Sequence, residues 1–147
     1  MKVGIIQSNY IPWRGYFDFI DDVDLFIFFD DVQYTRHDWR NRNRIKNANG
    51  VIWLTAPVLF SLDKPVLIKD AKIDYGKDWI KKHIETIKHS YSKAPFFRNY
   101  FDEFCEILHR RYETISQLKI VFLTLMLFAL VIAGRILFYS TFIRVGL

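Results

Sequence analysis

Four cations at every second position, a turn signal and an apolar return segment predict a β-hairpin between residues 40 and 56. Alternate side chains of a strand share one face, so the four cations would project from the same side. A helix is disfavoured because the intervening asparagines are poor helix formers, and Asn49-Gly50 is a tight-turn sequence. A cationic face suits phosphate binding, and a solvated edge strand that resists aggregation is the alternative. The four cations are Arg40, Arg42, Arg44 and Lys46.

Charge and length limit the class of protein. The chain has 147 residues, enough for one domain with a core, and a formal net charge of +5. Six aspartates lie between residues 18 and 31, directly before five cations between residues 36 and 46, which argues against a uniformly basic nucleic-acid binder. The single cysteine, Cys105, excludes an internal disulfide and fits a reducing compartment. Because no signal-peptide pattern opens the sequence, we expect a cytoplasmic protein.

Apolar patterning predicts an α/β fold, with a mixed sheet and helices packed on it. The strand near Phe26 is expected to be central and buried on both faces, because its apolar run is unbroken. The strands of the sheet are expected near Val3, Phe26, Arg42, Ile52 and Lys72. The helices are expected at residues 13–21, 79–90 and 99–112, the second capped by Asp78.

The C-terminal sequence has a different character from the rest. Residues 120–134 carry no charge, and apolar residues continue to position 143 after one arginine. The run 120–142 is long enough to cross a bilayer, which needs about 20 residues. We therefore divide the chain into an α/β domain, residues 1–118, and a very apolar C-terminal helix or tail, residues 119–147. The tail is either a segment that contacts the inner membrane or the product of a reading-frame change.

Four side chains are candidates for a catalytic base. Asp30 and Asp31 follow the predicted central strand, where paired acids suit acid–base chemistry or Mg²⁺ binding. The favoured interpretation is that they neutralise the arginines that follow. Asp38 lies inside the basic stretch. His83 has a suitable ordinary pKa but lies on the apolar side of its helix, where a packed core histidine is the alternative. Cys105 is expected to be a packed hydrophobe rather than a nucleophile.

Polar and aromatic residues after the first strand, and in the stretch from residue 30 to 46, are candidates for substrate binding. Polar groups directly after an N-terminal strand are typical ligand contacts in α/β proteins, although an ordinary strand-to-helix loop is the alternative. Arginines would hold a diphosphate, amides would bind sugar or base edges, and aromatic rings would stack. No Gly-rich phosphate loop is present, no metal site is predicted, and the sequence identifies no cofactor. The predicted substrate-binding residues are Gln7, Asn9, Tyr10, Trp13, Gln33, Tyr34, Arg36, Trp39, Arg40, Asn41, Arg42 and Asn43.

Two motifs resemble the WbqC-like family of bacterial polysaccharide gene clusters: QSNYIPWRGYF at residues 7–17 and DDVQYTRHDWRNRN at residues 30–43. The resemblance covers residues 2–118. It implies a role in O-antigen assembly, with transfer of glycine or another acyl group onto an amino sugar. Many members carry His where this chain has Ile6, and the tail from Lys119 resembles nothing in the family. The chain would then be a truncated or frame-shifted member.

The leading hypothesis is an enzyme, or part of one, whose partners are a nucleotide-linked amino sugar and an acyl or glycyl donor. A non-enzymatic nucleic-acid binder that uses the arginine strand and nearby aromatics is the second hypothesis, and the block of aspartates argues against it. A membrane-anchored accessory protein that acts through residues 120–142 is the third.

Overall fold

The computed structural model of the chain describes residues 1–61 and 63–132. These residues form two small sheets and four α-helices. The α/β class is therefore confirmed, whereas the described strands do not join into the single mixed sheet that was predicted. The strands are β1 (Val3–Ile6), β2 (Leu25–Phe28), β3 (Arg42–Asn47) and β4 (Gly50–Thr55). The helices are α1 (Arg14–Asp21), α2 (Trp79–Tyr91), α3 (Phe97–His109) and α4 (Ile115–Ile132), with a short 3₁₀ helix at Ile68–Asp70.

β1 and β2 form a parallel pair, which the intervening α1 connects. Phe26 and Phe28 of β2 pack against Tyr16 and Phe17 of α1. Ile27, on the opposite face, is exposed. The prediction that this strand is buried on both faces is therefore wrong, because the described helices that pack on this sheet, α1 and α4, lie on one side only.

β3 and β4 form the predicted antiparallel hairpin, with Arg44 opposite Trp53. Three of the four alternating cations lie on one face of β3, whereas Arg40 precedes the strand and takes a different direction. The turn pairs Asn47 with Gly50, and the Asn47 Oδ1 atom accepts a hydrogen bond from the Asn49 N–H group at 2.9 Å. Gly50 has a φ of +124°, so the positive-φ residue of the turn is its glycine, as the turn sequence suggested.

The predicted edge strand near Lys72 is reduced to isolated bridges, Val58 to Ile73 and Lys72 to Thr114. α3 begins and ends earlier than predicted, and Asp78 makes no side-chain capping bond to α2. Trp13, where the first helix was predicted to begin, lies just before α1, and its side chain is exposed. The sequence pattern predicted the approximate positions of these helices, whereas their exact ends differ by a few residues.

α4 takes part in both hydrophobic clusters of the described structure. Phe122 packs in the larger cluster, with residues of α2 and α3, and Leu123 and Leu127 pack with α1 in the smaller one. α4 therefore crosses the predicted boundary between residues 118 and 119 without interruption. Side chains after residue 118, as far as residue 127, fill core positions and pack in the same clusters as residues of the preceding elements.

None of the helices in residues 1–61 and 63–132 is long and apolar enough to cross a membrane. The very apolar, membrane-contacting helix predicted over residues 120–142 is thus not supported where the structure describes it. The remainder of the predicted tail, residues 133–147, lies outside the described residues.

Candidate functional site

The C-terminal ends of the two parallel strands meet at a buried carboxylate. Asp30, two residues after β2, accepts hydrogen bonds from the Ser8 N–H group at 2.9 Å and from the Ser8 hydroxyl at 2.5 Å. The Ser116 hydroxyl, in the first turn of α4, donates to the same carboxylate at 2.5 Å. Asp30 therefore connects both strand ends to α4.

Lys119, one turn further along α4, is 1% exposed and supplies the charge that balances Asp30. Its Nζ atom donates to the Ser8 carbonyl oxygen at 3.1 Å and lies 4.0 Å from the Asp30 Oδ2 atom. Burial raises the pKa of Asp30, but Lys119 and the hydrogen bonds from the two serines outweigh it and leave that pKa below its ordinary value. Burial has the larger effect on Lys119 and lowers its pKa to about 8, although Asp30 opposes the shift.

Sequence reasoning missed Ser8, Ser116 and Lys119 as members of this cluster. A usable signal was that Lys119 is the last charge before a long uncharged run, since a buried charge requires a partner of opposite sign. The prediction that Asp30 and Asp31 neutralise the following arginines is wrong. Asp30 pairs with Lys119, and Asp31 forms an exposed ion pair with Lys69.

A second polar cluster surrounds the Arg40 guanidinium, whose side chain is 14% exposed. Its Nη1 atom donates to Asn9 Oδ1 at 2.5 Å, and its Nη2 atom donates to Gln7 Oε1 at 2.7 Å. Nη2 also lies 3.7 Å from the Asp38 Oδ2 atom. The carboxylate of Asp38 accepts further hydrogen bonds from the Thr35 hydroxyl and the Trp39 N–H group. The structure therefore brings together four predicted site residues, Gln7, Asn9, Asp38 and Arg40.

Two predicted amide ligands, Asn41 and Asn43, use their NH₂ groups inside the protein. Asn41 is buried and donates to the Ala56 carbonyl oxygen at 2.9 Å. Asn43 donates to the carbonyl oxygens of Tyr10 and Ile11, at 3.2 and 2.6 Å. Ile11 has a φ of +45°, a strained value for a β-branched residue, and the Asn43 amide holds this bend against the hairpin.

The outer face of the hairpin carries an exposed pair of indoles with two arginines. The rings of Trp39 and Trp53 lie 5.6 Å apart, and 40% and 46% of their surfaces are exposed. The Arg42 guanidinium lies 4.2 Å from the centre of the Trp53 ring, and that of Arg44 lies 5.5 Å from both rings. Arg42 also donates to the His37 carbonyl oxygen, so its direction is fixed. We call these four side chains, Trp39, Trp53, Arg42 and Arg44, the indole platform.

The other predicted binding residues occupy different environments. Tyr10 and Tyr34 are core residues, which leaves no ring face open to a ligand. Gln33 is exposed and forms an isolated bridge with Leu67. The Arg36 guanidinium lies 5.7 Å from the centre of the Phe60 ring. Trp13 is exposed, and its indole lies so close to Gly15 that a Cβ atom there would be 2.0 Å from it.

His83, the fourth candidate base, is buried between aromatic rings of the core. Its Nδ1 atom lies 2.8 Å from the Trp79 carbonyl oxygen, and its Nε2 atom is buried without a hydrogen-bond partner among the described residues. Burial is the main cause that lowers its pKa, to about 4. The ring is therefore neutral at pH 7, and a 3% exposed side chain offers little access to a substrate.

Within residues 1–61 and 63–132, no three His, Cys, Asp or Glu side chains are grouped so that they could hold a metal ion. Cys105 is partly buried, and burial, followed by Asp102, raises the pKa of its thiol.

Comparison with known proteins finds that the chain matches a family model. The family model described as "WbqC-like protein family" matches residues 7–146, so the match continues past Leu118, where the resemblance was expected to end. "Uncharacterized protein Rv1507c" of Mycobacterium tuberculosis is 47% identical over 119 residues, which are 80% of this chain and 51% of that protein. The chain thus spans about half the length of this relative. No solved structure matches the chain.

Proposed function

The chain belongs to the WbqC-like protein family, and on that premise we propose that it binds a nucleotide-linked amino sugar as part of a transferase. The transferase moves glycine or another acyl group from a donor onto the sugar amine, in the assembly of O-antigen or another surface polysaccharide.

The observation that carries the proposal is that the indole platform and the Arg40 cluster are adjacent along the chain, through the consecutive residues Trp39 and Arg40. Trp39 belongs to the platform, and the next residue, Arg40, lies among Gln7, Asn9 and Asp38. The Tyr10 N–H group also donates to the Trp39 carbonyl oxygen at 2.9 Å, which fixes the two sites to each other. A planar base on the indoles would lie beside arginines suited to phosphate, with amides within reach of a sugar.

Acyl transfer requires a neutral amine and a group that takes its proton. The amine nitrogen attacks the acyl carbonyl carbon, a C–N bond forms, the bond from that carbon to the leaving group breaks, and the base removes one amine proton. Asp38 is the candidate base that lies in the Arg40 cluster and is partly open to solvent. Asp30 is buried and accepts three hydrogen bonds, and His83 is enclosed in the core, so neither is as well placed.

Calorimetric titration with a uridine-diphosphate amino sugar tests the binding step. Trp53→Ala is expected to weaken binding about tenfold or more, since stacking on an aromatic side chain contributes about 1–3 kcal/mol per base. Phe96→Ala is the control, because Phe96 is also an exposed aromatic residue but lies directly before α3. Equal affinity of the wild type and Trp53→Ala would exclude the indole platform as the base site. Mass spectrometry of the sugar after incubation with candidate acyl donors tests the transfer.

A further inference from the structure

Arg40 determines which end of two neighbouring amides faces a ligand. Arginine has only hydrogen-bond donors, so a side-chain amide that contacts it must present its oxygen atom. The Gln7 and Asn9 oxygens both accept from this one guanidinium, at 2.7 and 2.5 Å. The NH₂ group of each amide is consequently directed away from Arg40.

Among the described residues, neither of these two NH₂ groups donates a hydrogen bond to the protein. Both residues are half-buried, and in the described part of the chain neither nitrogen is among the buried polar atoms that lack a partner. Asn41 and Asn43, by contrast, donate to backbone carbonyl oxygens of the protein itself. Gln7 and Asn9 are thus two predicted amide ligands that Arg40 orients and whose donor ends remain for a ligand.

The surroundings favour an acceptor with negative charge. The Arg40 charge lies directly behind both amides and is the nearest cation to them. The Asp38 carboxylate is close, but Thr35 and Trp39 already donate to its oxygens, and it lies 3.7 Å from Arg40. Two NH₂ groups held by one guanidinium, with its charge close by, suit the paired oxygens of a phosphate or a carboxylate.

We propose that the NH₂ groups of Gln7 and Asn9 bind an oxyanion of the substrates, and that Arg40 is the positioning residue that orients them. The proposal rests on the proposed function for the source of the oxyanion, which is the diphosphate of the sugar nucleotide or a carboxylate of the acyl donor outside the acyl group that is transferred. It also changes the role predicted from the sequence, since Arg40 then acts through the two amides and does not itself hold the diphosphate.

The test exchanges the amides for carboxylates of the same shape. Gln7→Glu and Asn9→Asp can still accept from Arg40, but they lose the outward donors and add negative charge. Inorganic pyrophosphate and glycine, titrated separately into the full-length protein, distinguish the two sources. We expect one of them to bind the wild type, and each variant to lower that affinity about 10- to 100-fold. Asn99→Asp, the same change on α3, should leave it unaltered.

Two further measurements separate a positioning role of Arg40 from a role in folding: the thermal stability of the amide variants and the affinity of an Arg40 variant. The thermal midpoint of Gln7→Glu should not fall, because Arg40 then pairs with a carboxylate; should one variant unfold, the other carries the test. Arg40→Lys keeps the charge without the two-pronged geometry, and it should also weaken binding. Wild-type affinity in Arg40→Lys overturns the positioning role. The oxyanion site is overturned if neither probe binds the wild type, or if Gln7→Glu and Asn9→Asp bind as well as the wild type.

The outcomes also separate this site from the proposed function. If a probe binds as expected but no sugar is acylated, the oxyanion site stands and the transfer fails. If the sugar nucleotide binds through the indole platform while neither Gln7→Glu nor Asn9→Asp has an effect, the oxyanion site fails and the binding step stands.

Discussion

Asp30 is a buried carboxylate whose role in the fold can be separated from any role in catalysis. It accepts three hydrogen bonds and faces the buried amine of Lys119 at 4.0 Å. Asp30→Asn should destabilise the protein by about 3–5 kcal/mol, because the Lys119 charge loses its partner. Urea unfolding measures this change. The double variant Asp30→Asn/Lys119→Met should recover part of the loss, and a double variant no more stable than Asp30→Asn would contradict the pairing.

The pKa of His83 predicts a pH dependence of stability. Because burial lowers this pKa to about 4 in the folded protein, the unfolded chain binds the proton more readily, near its ordinary pKa of 6.5. The contribution of His83 is therefore complete above pH 6.5 and is lost as the pH falls towards 4, by at most about 3 kcal/mol. His83→Gln should show a shallower loss of unfolding free energy over this window. Identical pH profiles for the two proteins would contradict the assignment.

The sequence predicted several of the residues that form the candidate site, but it did not predict the directions of their side chains. Alternation along β3 correctly placed Arg42 and Arg44 on one face, because strand geometry dictates it. Arg40 fits the same alternation in sequence, yet it lies before the strand and points to Gln7, which is 33 positions away. Ser116, which donates to Asp30 from α4, is 86 positions away, so local patterning held no information about this contact.

Among the elements, the hairpin can be tested at its turn. Gly50 has a φ of +124°, and no atom lies within 4 Å of the position a Cβ would take. Gly50→Ala should therefore cost about 1–3 kcal/mol through backbone strain alone, with no steric clash. Gly76→Ala serves as the control, since Gly76 lies in a turn without positive φ. Equal thermal midpoints for Gly50→Ala and the wild type would show that the turn relaxes into another conformation.

The elements also show where patterning stops being informative. The unbroken apolar run at β2 predicted a doubly buried strand, but its outer face is exposed among the described residues, at Ile27 for example. An apolar sequence shows that both faces of a strand can be buried. Whether the second face is buried depends on whether another element packs against it. The strand predicted near Lys72 does not form, because the residues beside it make only single bridges and no continuous ladder of hydrogen bonds.

For the whole molecule, the salt dependence of binding distinguishes a sugar-nucleotide site from a nucleic-acid surface. A sugar nucleotide carries two phosphates, so its affinity should fall only moderately with salt. A strand that follows the cations of the hairpin would release several counterions and lose affinity steeply. We expect a single-stranded oligonucleotide to bind more weakly than the sugar nucleotide at about 0.15 M salt. Tighter, steeply salt-dependent binding of the oligonucleotide would favour the nucleic-acid hypothesis.

The place of α4 in the whole fold can be tested with two phenylalanines of the same helix. Phe122 is 2% exposed and contacts the rings of Tyr10 and Phe104, whereas Phe128 is 63% exposed. If α4 is part of the core, Phe122→Ala should cost about 3–5 kcal/mol of unfolding free energy, and Phe128→Ala less than about 0.5 kcal/mol. Urea unfolding of the two variants measures the difference.

The sequence favoured a helix outside the core, because apolar residues surround the whole helix and do not define a single packing face. The two faces of α4 in fact serve two clusters, with Phe122 in one and Leu123 in the other. Equal, small effects of Phe122→Ala and Phe128→Ala would mean that the segment after Lys119 lies outside the core. A large effect of Phe122→Ala alone would mean that removing residues 119–147 unfolds the domain, whereas truncation after residue 132 keeps every contact that the structure describes.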